Sequence, residues 1–423
     1  MTDACIRSLV EAIHASPTQA VLYLSGGASQ SLGWLMSVPG ASNTVLETVL
    51  PYSRMSLIQL LGKIPSSYCS EQTAARMAVL AYNRALKLSM PGFPVLGVGF
   101  TGALASTRPK LGDHRYCELN SFPLPLHMQT ANYLCDSLCL RLGKLLLKIL
   151  FSDVHRFHLS TRTSDRLLVS TVTLSKGLRT REEEDKVSSH YLLRGIANAC
   201  KVPATFVSGL TESEKVTESE QQFSEEQELE QLLNGEICFK VYPFSSGLSN
   251  EERKVLLSGS FNPLHDGHLK LLEIATSICG DGYPCFEISA VNADKPPLSV
   301  SQIKDRVKQF ENVGKTVIVS NQPYFYKKAE LFPGSAFVIG ADTVARLINP
   351  KYYDGDYGKM LEILIGCKRT GCTFLVGGRN VDGVFKVLED FDIPETLQDM
   401  FVPIPAEKFR MDISSTEIRK NQT

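Results

Sequence analysis

The sequence predicts an α/β protein of two domains, the second built on a doubly wound parallel sheet. Three observations predict it. Short apolar runs of strand length alternate with amphipathic helical runs through most of the chain. A glycine-bearing turn at residues 258–265 joins such a strand to such a helix. Composition changes sharply near residue 211, where a Glu-, Gln- and Ser-rich stretch separates two alternating regions. The 423 residues suit two or three domains, at roughly 100–200 residues each.

In the first region, residues 21–24 form an apolar strand ending in Ser25-Gly26-Gly27, and residues 32–36 read as helix. Residues 71–88 carry Ala74, Ala75, Ala78, Val79 and Tyr82 on one helical face. Residues 95–100 form a strand that runs into Thr101-Gly102-Ala103, and residues 133–151 form an apolar-faced helix. Residues 167–174 place Leu168, Ser170, Val172 and Leu174 on one face of a strand, and residues 181–199 return to helix. This alternation suggests a mainly parallel sheet with helical cover. The charge run at residues 180–185 reads as a solvated helix start, because acidic residues in a first turn suit the helix dipole.

Residues 211–236 hold too few large apolar side chains to offset the entropy of ordering a core. They read as a linker that carries at most a helix at 225–233. The expected boundaries are 1–205, an acidic linker at 206–250, and 251–423. In the last region, strands are expected at 255–257, 285–291, 316–320, 337–340 and 374–376. Helices are expected at 265–278 and 301–310, from Thr343, and at 414–420. No repeat of fixed period is present.

The formal net charge of −1 gives no global basic field for nucleic acid, although a local basic cluster would suit a phosphorylated small molecule. No apolar run reaches the roughly 18–20 residues of a membrane helix. The first residues, with Asp3 and Glu11, lack the pattern of a signal peptide. Eleven scattered cysteines form no CxxC pair, and Cys135 and Cys139 read as buried thiols. These features together predict a cytoplasmic protein.

The turn Gly259-Ser260-Phe261-Asn262-Pro263-Leu264-His265-Asp266-Gly267-His268 follows a strand and opens a helix. Ligands of open α/β sheets bind at such carboxyl strand ends. Gly259 lets the backbone approach a phosphate closely. His265 and His268 share one face of the first helical turn, beside free amides and the positive end of the dipole. A second segment, Ile413-Ser414-Ser415-Thr416-Glu417-Ile418-Arg419, offers hydroxyls and amides at another helix start, with Arg419 as a cationic fork.

These two segments resemble the HxGH superfamily of nucleotidylyltransferases, and within it the nicotinamide/nicotinate mononucleotide adenylyltransferases, whose domain is Rossmann-like. The resemblance covers residues 251–423. It implies transfer of AMP from ATP to a phosphorylated small molecule, with Mg²⁺ bridging the phosphates. His265, His268 and Arg419 would be catalytic. Gly259, Ser260, Phe261, Ile413, Ser414, Ser415 and Thr416 would hold the nucleotide. Gly340 and Asp342, in Gly340-Ala341-Asp342, resemble the family's strand-end G-x-D, and Lys295 and Arg379 are candidates for substrate phosphate. Relatives using CTP carry a different late motif, so ATP is expected.

Mononucleotide adenylyltransferases usually stack the pyridine ring on a Trp, but the single Trp, Trp34, lies outside this region. Tyr324, Phe325 and Tyr326 are the expected substitutes. Adenylyl or cytidylyl transfer to another acceptor such as pantetheine phosphate stays open, as does a nucleotide-binding protein without turnover.

Around Val38-Pro39-Gly40-Ala41-Ser42, Ser70-Glu71-Gln72-Thr73-Ala74 and Gly99-Phe100-Thr101-Gly102, residues 1–205 resemble the CinA C-terminal family. Some of its members are nicotinamide mononucleotide deamidases. Ser25 and Tyr52 match that family's Ser and Tyr, but Leu24 replaces its Glu, and residues 104–108, in the loop after Thr101, lack its usual glycines. A degenerate domain kept for binding or assembly is the favoured reading. Relatives of both regions commonly assemble, so a homo-oligomer is expected.

Overall fold

Two large sheets organise the chain. The structure, a computed structural model, describes residues 3–106, 154–203, 209–244, 253–280, 282–291, 296–381, 383–410 and 415–422. Contacts divide the chain into two units: Met1–Ala85 with Pro94–Gln222, and Phe223–Thr423 with Leu86–Phe93. Among the described residues no helix is long and apolar enough to cross a membrane.

The first unit holds β1 (Gln19–Ser25), β2 (Val45–Val49), β3 (Val95–Ala103), β4 (Val154–Arg162), β5 (Arg166–Ser175) and β6 (Lys215–Gln222), in the order β2-β1-β3-β4-β5-β6. Its helices are α1 (Asp3–His14), α2 (Gln30–Ser37), α3 (Ala41–Thr44), α4 (Arg54–Leu61), α5 (Glu71–Leu88) and α6 (Arg181–Ala199). Alternation along β3 decides its packing. Leu96, Val98 and Phe100 join a core with Ile6, Val10 and Leu192, whereas Gly97 and Gly99 face α5. A Cβ at Gly97 would lie 2.1 Å from the Ala78 carbonyl oxygen and 2.2 Å from the Tyr82 amide. Gly97→Ala is therefore expected to destabilise this unit by about 3 kcal/mol or more. Gly33→Ala, where a Cβ meets nothing within 4 Å, should be neutral or stabilising within its helix. Thermal unfolding of both variants checks the contrast.

Three expectations are corrected here. The first sheet is mixed rather than mainly parallel: β1 is parallel to β2 and β3, but β3, β4, β5 and β6 run antiparallel. The three-residue turn between β4 and β5 can join only antiparallel strands. The acidic stretch is not a linker. Lys215–Gln222 is an edge strand paired to β5, and the Ser170 hydroxyl donates to Glu218 at 3.1 Å. Edge strands tolerate charged residues because backbone pairing, not apolar burial, holds them. Residues 225–233 are helical as expected, but they belong to the second unit. Finally, the run at 180–185 is only partly solvated. Thr180 and Glu183 form a capping box, but Glu184 and Asp185 are buried. Glu184 pairs with His155 at 2.7 Å and accepts from the Ala105 amide at 2.6 Å. The helix expected at 133–151 lies outside the described residues.

The second unit adds β7 (Phe239–Tyr242), β8 (Lys254–Ser258), β9 (Tyr283–Ser289), β10 (Val317–Ser320), β11 (Ala336–Gly340), β12 (Thr373–Gly377), β13 (Arg379–Val381), β14 (Val384–Lys386) and β15 (Phe401–Pro403). The helices are α7 (Glu225–Leu233), α8 (Asp266–Cys279), α9 (Val300–Asn312), α10 (Phe325–Leu331), α11 (Ala341–Leu347), α12 (Tyr357–Arg369) and α13 (Ser415–Gln422). The large sheet has the order β15-β12-β11-β8-β9-β10-β7, parallel except for β7. Val255, Leu256, Phe286, Ile288, Phe337 and Val338 are buried in it, the near-continuous apolar pattern of a sheet covered on both faces. From β8 the chain winds through β9 and β10 on one side, then through β11, β12 and β15 on the other. The crevice between β8 and β11 is the topological switch point of this doubly wound domain.

Candidate functional site

The turn after β8 is built around Phe261. Its buried ring meets His268 edge-on at 4.9 Å, Phe310 at 5.2 Å and Phe286 at 5.3 Å. A Cβ at Gly259 would lie 2.9 Å from the Phe261 ring, so packing of that ring demands the glycine. The Gly259 amide donates to the Glu287 carbonyl at 3.0 Å. Gln309 of α9 clamps the turn: it accepts from the Leu264 amide at 2.7 Å and donates to the Phe261 carbonyl at 3.1 Å.

His265 is the N-cap of α8. Its amide donates to His268 Nδ1 at 3.3 Å, and the two imidazoles stack at 3.7 Å with 22° between their planes. Burial lowers the pKa of His268 to about 3, with help from His265 and the Arg379 charge. Burial and Arg379 also lower that of His265, against a weaker opposing pull from Asp266. Both rings are therefore neutral near pH 7 and can each donate one N–H. Both His265 ring nitrogens are buried without a hydrogen-bond partner among the described residues, and so is the Ser258 hydroxyl.

The late helix α13 reaches this turn. The Ser415 hydroxyl donates to the Pro263 carbonyl at 2.9 Å, and the Arg419 guanidinium donates to the Asn262 carbonyl. Motifs some 150 positions apart in sequence thus share one mouth. Thr416 lies on α13, whereas Ile413, Ser414 and Lys295 lie outside the described residues.

Gly340 and Asp342 stand where β11 gives way to α11. Asp342 pairs with Arg346 at 2.8 Å and lies 3.7 Å from Arg379 Nε. A Cβ at Gly340 would lie 2.5 Å from Asp342 Oδ1, so the glycine makes room for that carboxylate.

A cavity of about 950 Å³ opens at these strand ends, lined by Ser258, Gly259, Ser260, Asn262 and Arg419. His265, His268, Gly340, Asp342 and Arg379 are not among its lining residues. They form a neighbouring cluster linked through Arg379. The sequence reading missed Arg306, which lines the cavity from α9 together with Gln302, one turn earlier. Burial and the Arg419 charge hold the Arg306 pKa below its ordinary value. Two guanidiniums that repel each other at one cavity make an anion-binding arrangement. Tyr324, Phe325 and Tyr326 also line the cavity. Tyr324 and Tyr326 stack at 5.5 Å with 19° between planes, and Tyr352 and Tyr353 join them.

In the first unit, the Ser25 hydroxyl donates to the Pro51 carbonyl at 3.1 Å, and Tyr52 is 77% exposed. Asp185 accepts from the Ser29 amide at 3.0 Å, the Ser29 hydroxyl at 2.9 Å and the Gln30 amide at 3.2 Å. The chain's own carboxylate thus occupies the amides that open α2.

The switch-point turn, the paired imidazoles and the returning Arg419 define the second unit as a Rossmann-type domain with a candidate nucleotide site. Residues 256–421 match the cytidylyltransferase-like family model, which indicates a nucleotidyltransferase. No curated protein matches the chain. A solved structure, the competence/damage inducible protein CihA from Agrobacterium tumefaciens, is similar at 16% identity over 47% of this chain and 96% of that one, with a TM-score of 0.31.

Proposed function

We propose that the second unit transfers AMP from ATP to nicotinamide or nicotinate mononucleotide and releases pyrophosphate. The observation that carries this reading is the His265 ring at the opening of α8, with two buried nitrogens that have no partner among the described residues. Buried polar atoms without partners call for a ligand that supplies them.

In the reaction, a phosphate oxygen of the acceptor attacks the α-phosphorus of ATP in line. The bond from the α-phosphorus to the bridging oxygen breaks, and pyrophosphate leaves. His265 and His268 donate to phosphate oxygens as charge gathers there, and Arg419 supplies a fixed cation. Gly259, Ser260 and Phe261 let the turn approach the triphosphate. The resemblance assigns Ile413, Ser414, Ser415 and Thr416 to the same phosphates. Gly340 and Asp342 hold the nucleoside, while Arg306, Lys295 and Arg379 serve the phosphates. Mg²⁺ arrives with ATP as part of the substrate, held mainly by phosphate oxygens and water.

The test is pyrophosphate release over a panel of acceptors, with ATP against CTP. Release with ATP and a pyridine mononucleotide is the expected result. Release only with CTP or with pantetheine phosphate would reassign the substrates, and binding without turnover would make the protein a nucleotide sensor.

For the first unit the proposal is binding or assembly rather than deamidation. It is supported by the Ser25 hydroxyl committed to Pro51 and by Asp185 on the amides of α2. The full chain is expected to release no more ammonia from nicotinamide mononucleotide than its Ser25→Ala variant does.

A further inference from the structure

Glu287 of β9 is fully buried, and Lys328 of α10 is 3% exposed although it lines the cavity. The Lys328 ammonium donates to Glu287 Oε2 at 2.7 Å. The other carboxylate oxygen accepts from the Ser320 hydroxyl at 2.6 Å and the Ser289 hydroxyl at 3.3 Å. Among the described residues Glu287 is the one hydrogen-bond partner of this ammonium, whose remaining side is covered in part by the Phe325 ring at 5.0 Å.

An ammonium has three N–H donors. A buried one with a single partner is costly unless something else accepts from it. Lys328 stands on the wall that carries the stacked Tyr324 and Tyr326. A flat ring laid against those tyrosines would share the cavity with this ammonium.

The geometry points to Lys328 as the residue that selects the acceptor, by donating to a carbonyl or carboxylate oxygen carried on its planar ring. Glu287 sets the charge balance. The ion pair is neutral overall, so it serves a carboxamide and a carboxylate alike. Without the Glu287 charge, the bare ammonium would favour the anionic substituent. This inference rests on the proposed transfer to a pyridine mononucleotide and adds the residue that reads the ring.

The experiment compares three acceptors in the full chain: nicotinamide mononucleotide, nicotinate mononucleotide, and the unsubstituted pyridine ribotide. The variant Lys328→Met/Glu287→Gln removes donor and charge together and leaves no buried charge unpaired. It is expected to raise KM for the two substituted acceptors about 10- to 100-fold. KM for ATP and turnover of the unsubstituted ribotide should not change. The single variant Glu287→Gln should shift kcat/KM towards the nicotinate acceptor. An equal loss on all three acceptors, no loss on any, or an unshifted carboxylate-to-carboxamide ratio in Glu287→Gln would overturn the assignment. Failure of the unmodified protein to use any of the three would instead overturn the proposed function.

Discussion

Replacing His268 with alanine is expected to slow nucleotidyl transfer by about 10²–10³-fold, the cost of losing one preorganised donor to developing charge. The side chain is held firmly at the turn. The His265 amide donates to its Nδ1, its ring stacks on His265, and the edge-on contact with Phe261 ties it to the turn. Its neutral form has a consequence for stability. With the pKa at about 3 in the folded chain, and near 6.5 when unfolded, only the unfolded chain gains a proton between those values. The contribution is complete above pH 6.5 and falls away as pH drops towards 3. His268→Asn is therefore expected to lose less stability than the unmodified protein between pH 7 and pH 5, as denaturant unfolding would show. Unchanged turnover in His268→Ala would leave the turn with a purely structural role.

Removing the Arg419 guanidinium is the second large effect, about 10²-fold in kcat/KM with Arg419→Ala. Lysine should not restore it, because a point charge lacks the planar fork. In the folded chain this fork donates to the Asn262 carbonyl at the entrance of the turn, and its charge lowers the Arg306 pKa. A bound triphosphate would relieve that repulsion. Arg419→Ala should therefore weaken ATP binding more at low than at high ionic strength, which calorimetry at two salt concentrations would measure.

The second unit was the more legible half because its sheet is parallel and covered on both faces. Its strands read as continuous apolar runs, and each ends in a turn with marked chemistry, such as Gly259 or Gly340. The two motifs were found because both combine glycine or hydroxyl residues with a helix start, a local signal. What local patterns did not carry was side-chain direction on a polar helix. Arg306 sits among Lys304, Asp305 and Lys308, and nothing in that run marks it as facing a cavity. Lys328 was hidden for a related reason, since its buried partner Glu287 lies on a strand 41 positions earlier. In the first unit, β6 escaped because a charged edge strand has neither an apolar face nor a period to detect. The strand β4, which the short turn Thr163-Ser164-Asp165 joins to β5, was not among the expected elements.

The central claim is that one site, built from the turn after β8 and the start of α13, handles the α-phosphate of ATP. The most direct measurement follows ATP labelled at that phosphorus, incubated with the full chain and a pyridine mononucleotide. Label appearing in a dinucleotide product, with one unlabelled pyrophosphate released for each, is the predicted result. Label retained in ADP or ATP whatever phosphorylated acceptor is present would contradict it.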